Sequence, residues 1–264
     1  MKLVVLCDNN TYIDNYLLGE PALSFYLKNF DDEILFDVGY SNVFLKNSES
    51  LNIDIKNIKK LVLSHGHDDH TKGLLDISDK KQLFYCKGCF DAKRGENGID
   101  ASAPYSLNEI QTKFDAIEVN SKLCISQNLY ILGPIPRQTN FEKVPNTLLK
   151  QTKDGWVVDD MQEDTALVYD GQEGLTIITG CSHSGICNII LYAKSLFNKP
   201  VKMVIGGFHL LKIDDQAQKT IDFLKQENIE KLYPCHCTCF DVKAEMKNQG
   251  LNVIEVGSGL TLEI

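Results

Sequence analysis

Leu61-Val62-Leu63-Ser64-His65-Gly66-His67-Asp68-Asp69-His70 is the stretch on which the fold turns. The branched apolar run at its start reads as a buried strand, and Ser64-His65-Gly66 breaks it into a turn. That turn carries three imidazoles and two carboxylates within six residues, half of all the histidines in the chain. Neutral imidazole and ionised carboxylate are ligands that suit zinc, iron or manganese. His65 and His67 are spaced to grip one ion, while Asp69 and His70, displaced along the turn, face a second.

The remaining histidines each follow a short β-prone run. His183 closes Thr179-Gly180-Cys181-Ser182-His183, His209 closes Gly206-Gly207-Phe208-His209, and His236 lies in Pro234-Cys235-His236-Cys237. Helical crossovers place the C-terminal ends of such strands on one edge of a sheet, so the three rings are expected to converge there. Asp37, after the strand Glu33 to Phe36, is either a plain turn former or a carboxylate that holds the histidine loop through hydrogen bonds.

Around these points the chain reads as two similar halves, each giving strands, then a metal-binding turn, then helices. One α/β domain over residues 1–264 is expected, with two mixed sheets in the middle and helices on both outer faces. Ser106 and Glu109 form a capping box that opens a helix to Phe114. Further helices are expected over 185–197 and 214–227. Residues 87–105 lack periodicity and read as a lid or entrance wall, and residues 138–159, with Pro145, Gly155 and Trp156, read as irregular. The helix after His183, with Ser184 as cap and Gly185 opening it, offers free backbone N–H groups to a substrate anion. Arg137, Lys87 or Lys93 would assist.

A formal charge of −9 and a pI near 5.2 argue against binding a nucleic-acid backbone. No run is long enough to span a membrane, and the start turns polar too soon for a signal peptide, so a cytoplasmic location is expected. Nine cysteines without an export signal read as reduced thiols. Cys86/Cys89 with Cys235/Cys237/Cys239 form a structural zinc site in the alternative reading.

His65-x-His67-x-Asp69-His70 after a buried strand, the Asp37-Val38-Gly39 turn and the later strand-end histidines resemble the metallo-β-lactamase superfamily. The resemblance spans nearly the whole chain and implies an αββα sandwich with a two-metal site between the sheet edges. Ser64-His65-Gly66-His67, Gly133-x-Ile135-Pro136-Arg137, Thr179-Gly180-Cys181-Ser182-His183, Ile205-Gly206-Gly207-Phe208-His209 and Pro234-Cys235-His236-Cys237-Thr238 look like its dihydropterin-synthase-like subgroup. That subgroup is named after a methanopterin-pathway enzyme that condenses a dihydropterin with a ribofuranosyl-aminobenzene phosphate, and most of its members are labelled metal-dependent hydrolases. Two departures stand out. Cys181 takes the position of the usual bridging aspartate, and no histidine lies between His70 and His183. Within the resemblance, His183 would complete the first site with His65 and His67, and Asp69, His70 and His236 would hold the second. Cys181 or solvent alone would bridge. His209 is left as a substrate contact or proton donor, and Glu163-Asp164 as an acidic pair or a solvated strand start.

The reading that results is a hydrolase in which two divalent ions, zinc first and iron or manganese as alternatives, activate a hydroxide oriented by Asp69. Its substrate would be a small anionic molecule bearing phosphate or carboxylate. A condensing pterin transferase on the same site is the alternative. A di-iron redox enzyme is disfavoured because that class resembles this chain but carries glutamate at the His67 position and an attached flavin domain. A ligand sensor is disfavoured by the intact ligand set, and RNA processing by the acidic charge.

Overall fold

The structure is a computed structural model that describes residues 1–144 and 147–264. In chain order its strands are β1 (Lys2–Cys7), β2 (Ser24–Asn29), β3 (Asp32–Phe36), β4 (Lys60–Val62), β5 (Gln82–Tyr85), β6 (Lys93–Gly95), β7 (Asp115–Glu118), β8 (Leu123–Ser126), β9 (Leu129–Ile131), β10 (Leu148–Thr152), β11 (Gly155–Val158), β12 (Ala166–Asp170), β13 (Leu175–Thr179), β14 (Val201–Gly207), β15 (Lys231–Cys235) and β16 (Thr261–Glu263). The helices are α1 (Val43–Ser50), the single turn α2 (Asp68–Thr71), α3 (Leu107–Lys113), α4 (Ile186–Phe197), α5 (Asp215–Gln226) and α6 (Phe240–Asn248).

Alternation along the strands builds the layers. One sheet runs β16-β1-β2-β3-β4-β5-β7 and another β15-β14-β13-β12-β9-β8. Successive strand residues point to opposite faces, so Val62 and Ile178 enter the core between the sheets while Leu61 and Ile177 face outward. The inner core joins Phe25, Phe36 and Phe84 of the first sheet to Leu167, Ile178 and Ile205 of the second. Outside the first sheet, Leu35 and Leu61 cluster with Phe44 of α1 and Ile110 of α3. Outside the second, Ile177 and Val204 cluster with Ile190 of α4, Leu224 of α5 and Met246 of α6. This is the expected αββα order, and α6 is a helix that sequence periodicity did not disclose.

Strand direction then places the chemistry. β3 and β4 are parallel, pairing Leu35 with Leu61, and β1 runs the same way because both β1/β2 and β2/β3 are antiparallel. β13, β14 and β15 are parallel, pairing Ile178 with Ile205 and Ile205 with Tyr233. One group of strand ends therefore delivers Asp8, Asp37 and the histidine turn, and the other delivers Cys181, His183, His209 and His236.

Two stretches differ from expectation. Residues 87–105 contain β6, and residues 138–159 contain the β10/β11 hairpin, which together form a three-stranded sheet in the order β11-β10-β6. Pro145 lies outside the described residues. The Lys153-Asp154 turn followed by Gly155, between β-prone runs, is a readable hairpin signal, but the β6/β10 pairing is long-range, and β6 buries a lysine, which hides its alternation. Among the described residues, no helix is long and apolar enough to cross a membrane.

The start of α4 also departs from the sequence reading. Gly185, with φ of 97°, is the N-cap, and a Cβ there would stand 2.3 Å from Glu142 Oε2. The Glu142 carboxylate accepts the N–H groups of Cys187 (2.8 Å) and Asn188 (2.9 Å), while Asn188 Oδ1 accepts those of Gln138 and Thr139 (2.7 Å each). A negative charge at a helix N-terminus is favourable, and buried N–H groups left without acceptors are costly. Glu142→Ala should therefore lower stability by about 1–3 kcal/mol in urea unfolding; an unchanged midpoint would show that the clamp carries no weight.

Candidate metal centre

The histidine turn is pressed tightly into place. A Cβ at Gly66 would lie 2.0 Å from the Cys89 carbonyl oxygen and 2.9 Å from Lys93 Cε, so no larger residue fits there without rearrangement. Lys93 is fully buried behind the turn, its ammonium 2.6 Å from Asp159 and 2.7 Å from Glu163. His67 caps α2 and bridges Ser102 along the backbone.

Asp37 organises the rings. Its Oδ1 accepts the Ser64 N–H (2.7 Å), and its Oδ2 accepts the Ser64 hydroxyl (2.7 Å) and lies 2.7 Å from His70 Nδ1. Because the Ser64 hydroxyl gives its proton to Asp37, it can only accept from His65 Nδ1, 2.8 Å away. His236 Nδ1 lies 3.0 Å from Asn9 Oδ1, and the His236 N–H donates to Asp8 (2.9 Å). Each Nδ1 thus carries its hydrogen outward, and the Nε2 atoms of His65, His70 and His236 turn into the cleft.

Those nitrogens meet other potential ligand atoms. His65 Nε2 is 3.1 Å from His67 Nδ1. His70 Nε2 is 3.1 Å from Cys181 Sγ, 3.2 Å from His236 Nε2 and 3.6 Å from Asp69 Oδ2, which is itself 3.1 Å from His236 Nε2. The donor atoms fall into the sets His65/His67/His183 and Asp69/His70/Cys181/His236, each gathered within 4.8 Å, and a third set joins Cys181, His183 and His209. His67 Nε2, both ring nitrogens of His183 and Nδ1 of His209 are buried without a hydrogen-bond partner. Buried polar atoms are rarely left so. A divalent cation satisfies this donor set as hydrogen bonds do not, and the mixed imidazole, carboxylate and thiolate chemistry suits it.

The electrostatics divide the sets. Burial, reinforced by neighbouring imidazoles, holds His65 and His183 well below the usual histidine range, and burial takes His67 down to about 3. Burial alone would lower His70 too, but the carboxylates of Asp69 and Asp37 outweigh it and raise it to about 9. Burial also works against the Asp69 carboxylate, yet His70 and His236 hold it below the ordinary range. The Cys181 thiol is pushed well up by burial. At Cys237, hydrogen bonds from Cys181 and His209 overcome burial and hold the thiol well down, and Cys237 in turn raises His209. Asp37, Ser182, His209 and His236 all adopt left-handed φ between 48° and 58° at strand ends, a conformation that non-glycine residues take at a cost and that clusters at functional sites.

The expected anion dock is not formed. Glu142 occupies the N–H groups at the start of α4, and the Ser184 N–H donates to Asp164 (2.7 Å), whose carboxyl burial pushes up to about 7. Arg137 donates to the backbone carbonyls of Ser184 (3.3 Å), His183 (3.2 Å) and Asp160 (2.9 Å). Lys87 is exposed and does not line the cleft, and Lys93 is closed off by its two carboxylates. Glu163 and Asp164 are buried rather than solvated. All nine cysteines are free, and among the described residues no potential metal cluster includes Cys86, Cys89, Cys235 or Cys239. Asp8 and Asn9 escaped notice in the sequence, although they follow β1 as Asp37 follows β3.

Residues 18–83 match the family model described as metallo-beta-lactamase superfamily. Uncharacterized protein MJ0448 of Methanocaldococcus jannaschii is 30% identical over 256 residues, covering 94% of each chain. The 7,8-dihydropterin-6-methyl-4-(beta-D-ribofuranosyl)-aminobenzene-5'-phosphate synthase of the same organism is 31% identical over 265 residues, covering 93% of this chain and 89% of that protein. The crystal structure of Tm1679, a metal-dependent hydrolase of the beta-lactamase superfamily, is alike with a TM-score of 0.88 and 34% identity, over 100% of this chain and 99% of that one. Likeness sustained from end to end, in sequence and in fold, makes this chain an enzyme that belongs to the metallo-beta-lactamase superfamily.

Proposed function

We propose that the chain is a metal-dependent hydrolase that holds two divalent ions and cleaves a small-molecule substrate whose reacting group is a phosphate or carboxyl derivative. The observation that carries this reading is the pair of adjoining donor sets, the first of which leaves buried nitrogens of His67 and His183 without a hydrogen-bond partner. His65, His67 and His183 would hold one ion, and Asp69, His70, Cys181 and His236 the other. The thiolate and imidazoles favour zinc over manganese. Bound there, the ions supply a water of lowered pKa and Lewis-acid stabilisation of developing negative charge.

The residues of the chain do the rest. Asp69, partly open to the cleft and ionised, orients the attacking water and takes its proton. His209, raised by Cys237 and with Nδ1 unpartnered, donates a proton to the leaving group. Asp37, Ser64 and Asn9 hold the tautomers. The net charge of −9 favours a small-molecule substrate over a nucleic acid, and reduced thiols accord with a cytoplasmic setting. A condensing transferase is the second reading, favoured by the 31% identical relative named as a synthase. Product formation that requires a second organic substrate would select it.

Three outcomes test the site. Asp37→Asn should weaken zinc binding about 10–100-fold in chelator competition with the circular dichroism unchanged; undiminished affinity would remove Asp37 from its orienting role. His209→Ala should keep full metal content yet lower kcat on a responsive ester by about 10²-fold or more, whereas loss of one metal equivalent would make His209 a ligand.

The third is a proton count. His65, His67 and His183 are already neutral near pH 7, so their set loads without proton release. His70, raised to about 9, is cationic in the metal-free protein, and Cys181 is a neutral thiol, so both must lose protons to bind. Affinity of the second set should therefore rise with pH through about 9, where His70 becomes neutral, and go on rising while Cys181 is still a thiol, and of the first stay flat. Zinc titration in two buffers of different ionisation enthalpy reads this directly; equal proton release at both steps would contradict the division.

A further inference from the structure

We propose that the part of the substrate lying beyond its reacting group is neutral and apolar. This rests on the metal-centred reading above and adds the substrate class to it. Two lobes of the cleft, of about 360 and 370 Å³, meet at Pro21, His67, Asp69 and Leu148. One lobe extends past Tyr40 and Asp68, the other past Leu211. Among the described residues, no lysine or arginine lines either lobe.

Of the cations that the sequence reading sends there, Lys87 is exposed outside both lobes, and Lys93 and Arg137 are engaged elsewhere. Lys93 is sealed between Asp159 and Glu163, and the Arg137 guanidinium is held by three backbone carbonyls. Lys72, the ammonium beside the first lobe, donates to the Tyr40 hydroxyl (2.8 Å) and lies 4.0 Å from the centre of its ring. The positive end of α4 already holds the Glu142 carboxylate. Beside the candidate metal donors, the walls include Pro21, Leu148, an exposed Leu211 and the half-buried Asp68.

A negative group placed in either lobe would lose water beside Asp69, and in the first beside Asp68 too, with no lysine or arginine among the described wall residues. The Lys72 ammonium outside the first lobe is already shared between Asp68 and the Tyr40 ring. A neutral aryl or alkyl group would instead cover Leu148, Tyr40 or Leu211 and remove their apolar surface from water. The bound ions thus recognise the anionic or polarised reacting group, and the walls select against a second charge. Asp68 and Leu148 are the specificity-determining residues.

Calorimetry on the zinc-loaded full chain, its zinc content verified, compares phenylphosphonate with 4-carboxyphenylphosphonate at low salt. The uncharged ring should bind about 10-fold tighter or better, Asp68→Asn should narrow that gap, and Leu148→Lys should close it. Equal or tighter binding of the carboxylated probe by the unaltered chain would overturn the proposal while leaving the metal centre intact. Binding of neither probe to fully loaded protein would overturn the proposal, whereas failure of the chain to take up zinc would overturn the metal-centred reading and the proposal with it.

Discussion

A single buried carboxylate, that of Asp37, carries the arrangement of the site. It accepts two hydrogen bonds from Ser64 and one from His70, and through the Ser64 hydroxyl it also sets the proton of His65. A histidine ring offers its lone pair on only one nitrogen when neutral, so the partner of the other nitrogen decides which atom can meet a ligand. Asn9 does the same for His236 from the end of β1. Three strand ends of one sheet therefore orient rings that come from both sheets, which couples the stacking of the sheets to the chemistry at their shared rim.

The same rim concentrates unfavourable terms. Imidazoles crowd together with ring centroids 4.2–4.9 Å apart. Two Nε2 atoms face each other at 3.2 Å, several buried nitrogens lack partners, and four strand-end residues adopt left-handed backbone. In a protein interior such features cost free energy unless a cation relieves them. The two hydrophobic faces of each sheet supply the stability that holds them in place.

Legibility in the sequence followed the range of the interactions. The histidine turn, the strand-end histidines and the αββα layering rest on local periodicity and on the rule that parallel strands share an edge, and these were readable. The capping box of Ser106 and Glu109 was readable too, because both partners lie within one helical turn. The start of α4 was misread because a free helix N-terminus is only an expectation until distant chain is placed against it. Glu142, 45 positions before Cys187, fills it. Lys93 and Arg137 were misread for the same reason, since a cation looks available in a sequence until its carboxylates or carbonyls are found.

By itself, then, the sequence determined the inventory of imidazole, carboxylate and thiol groups, the edge of the fold where they gather and the layer order, because residue type and alternation are encoded position by position. Only the tertiary structure decided which nitrogen of each ring faces inward, which donors share a set, and that the walls beyond them lack a free positive charge. Those properties belong to pairs of residues far apart in the chain, and charge or lone-pair direction at one member has no value until the other is in contact.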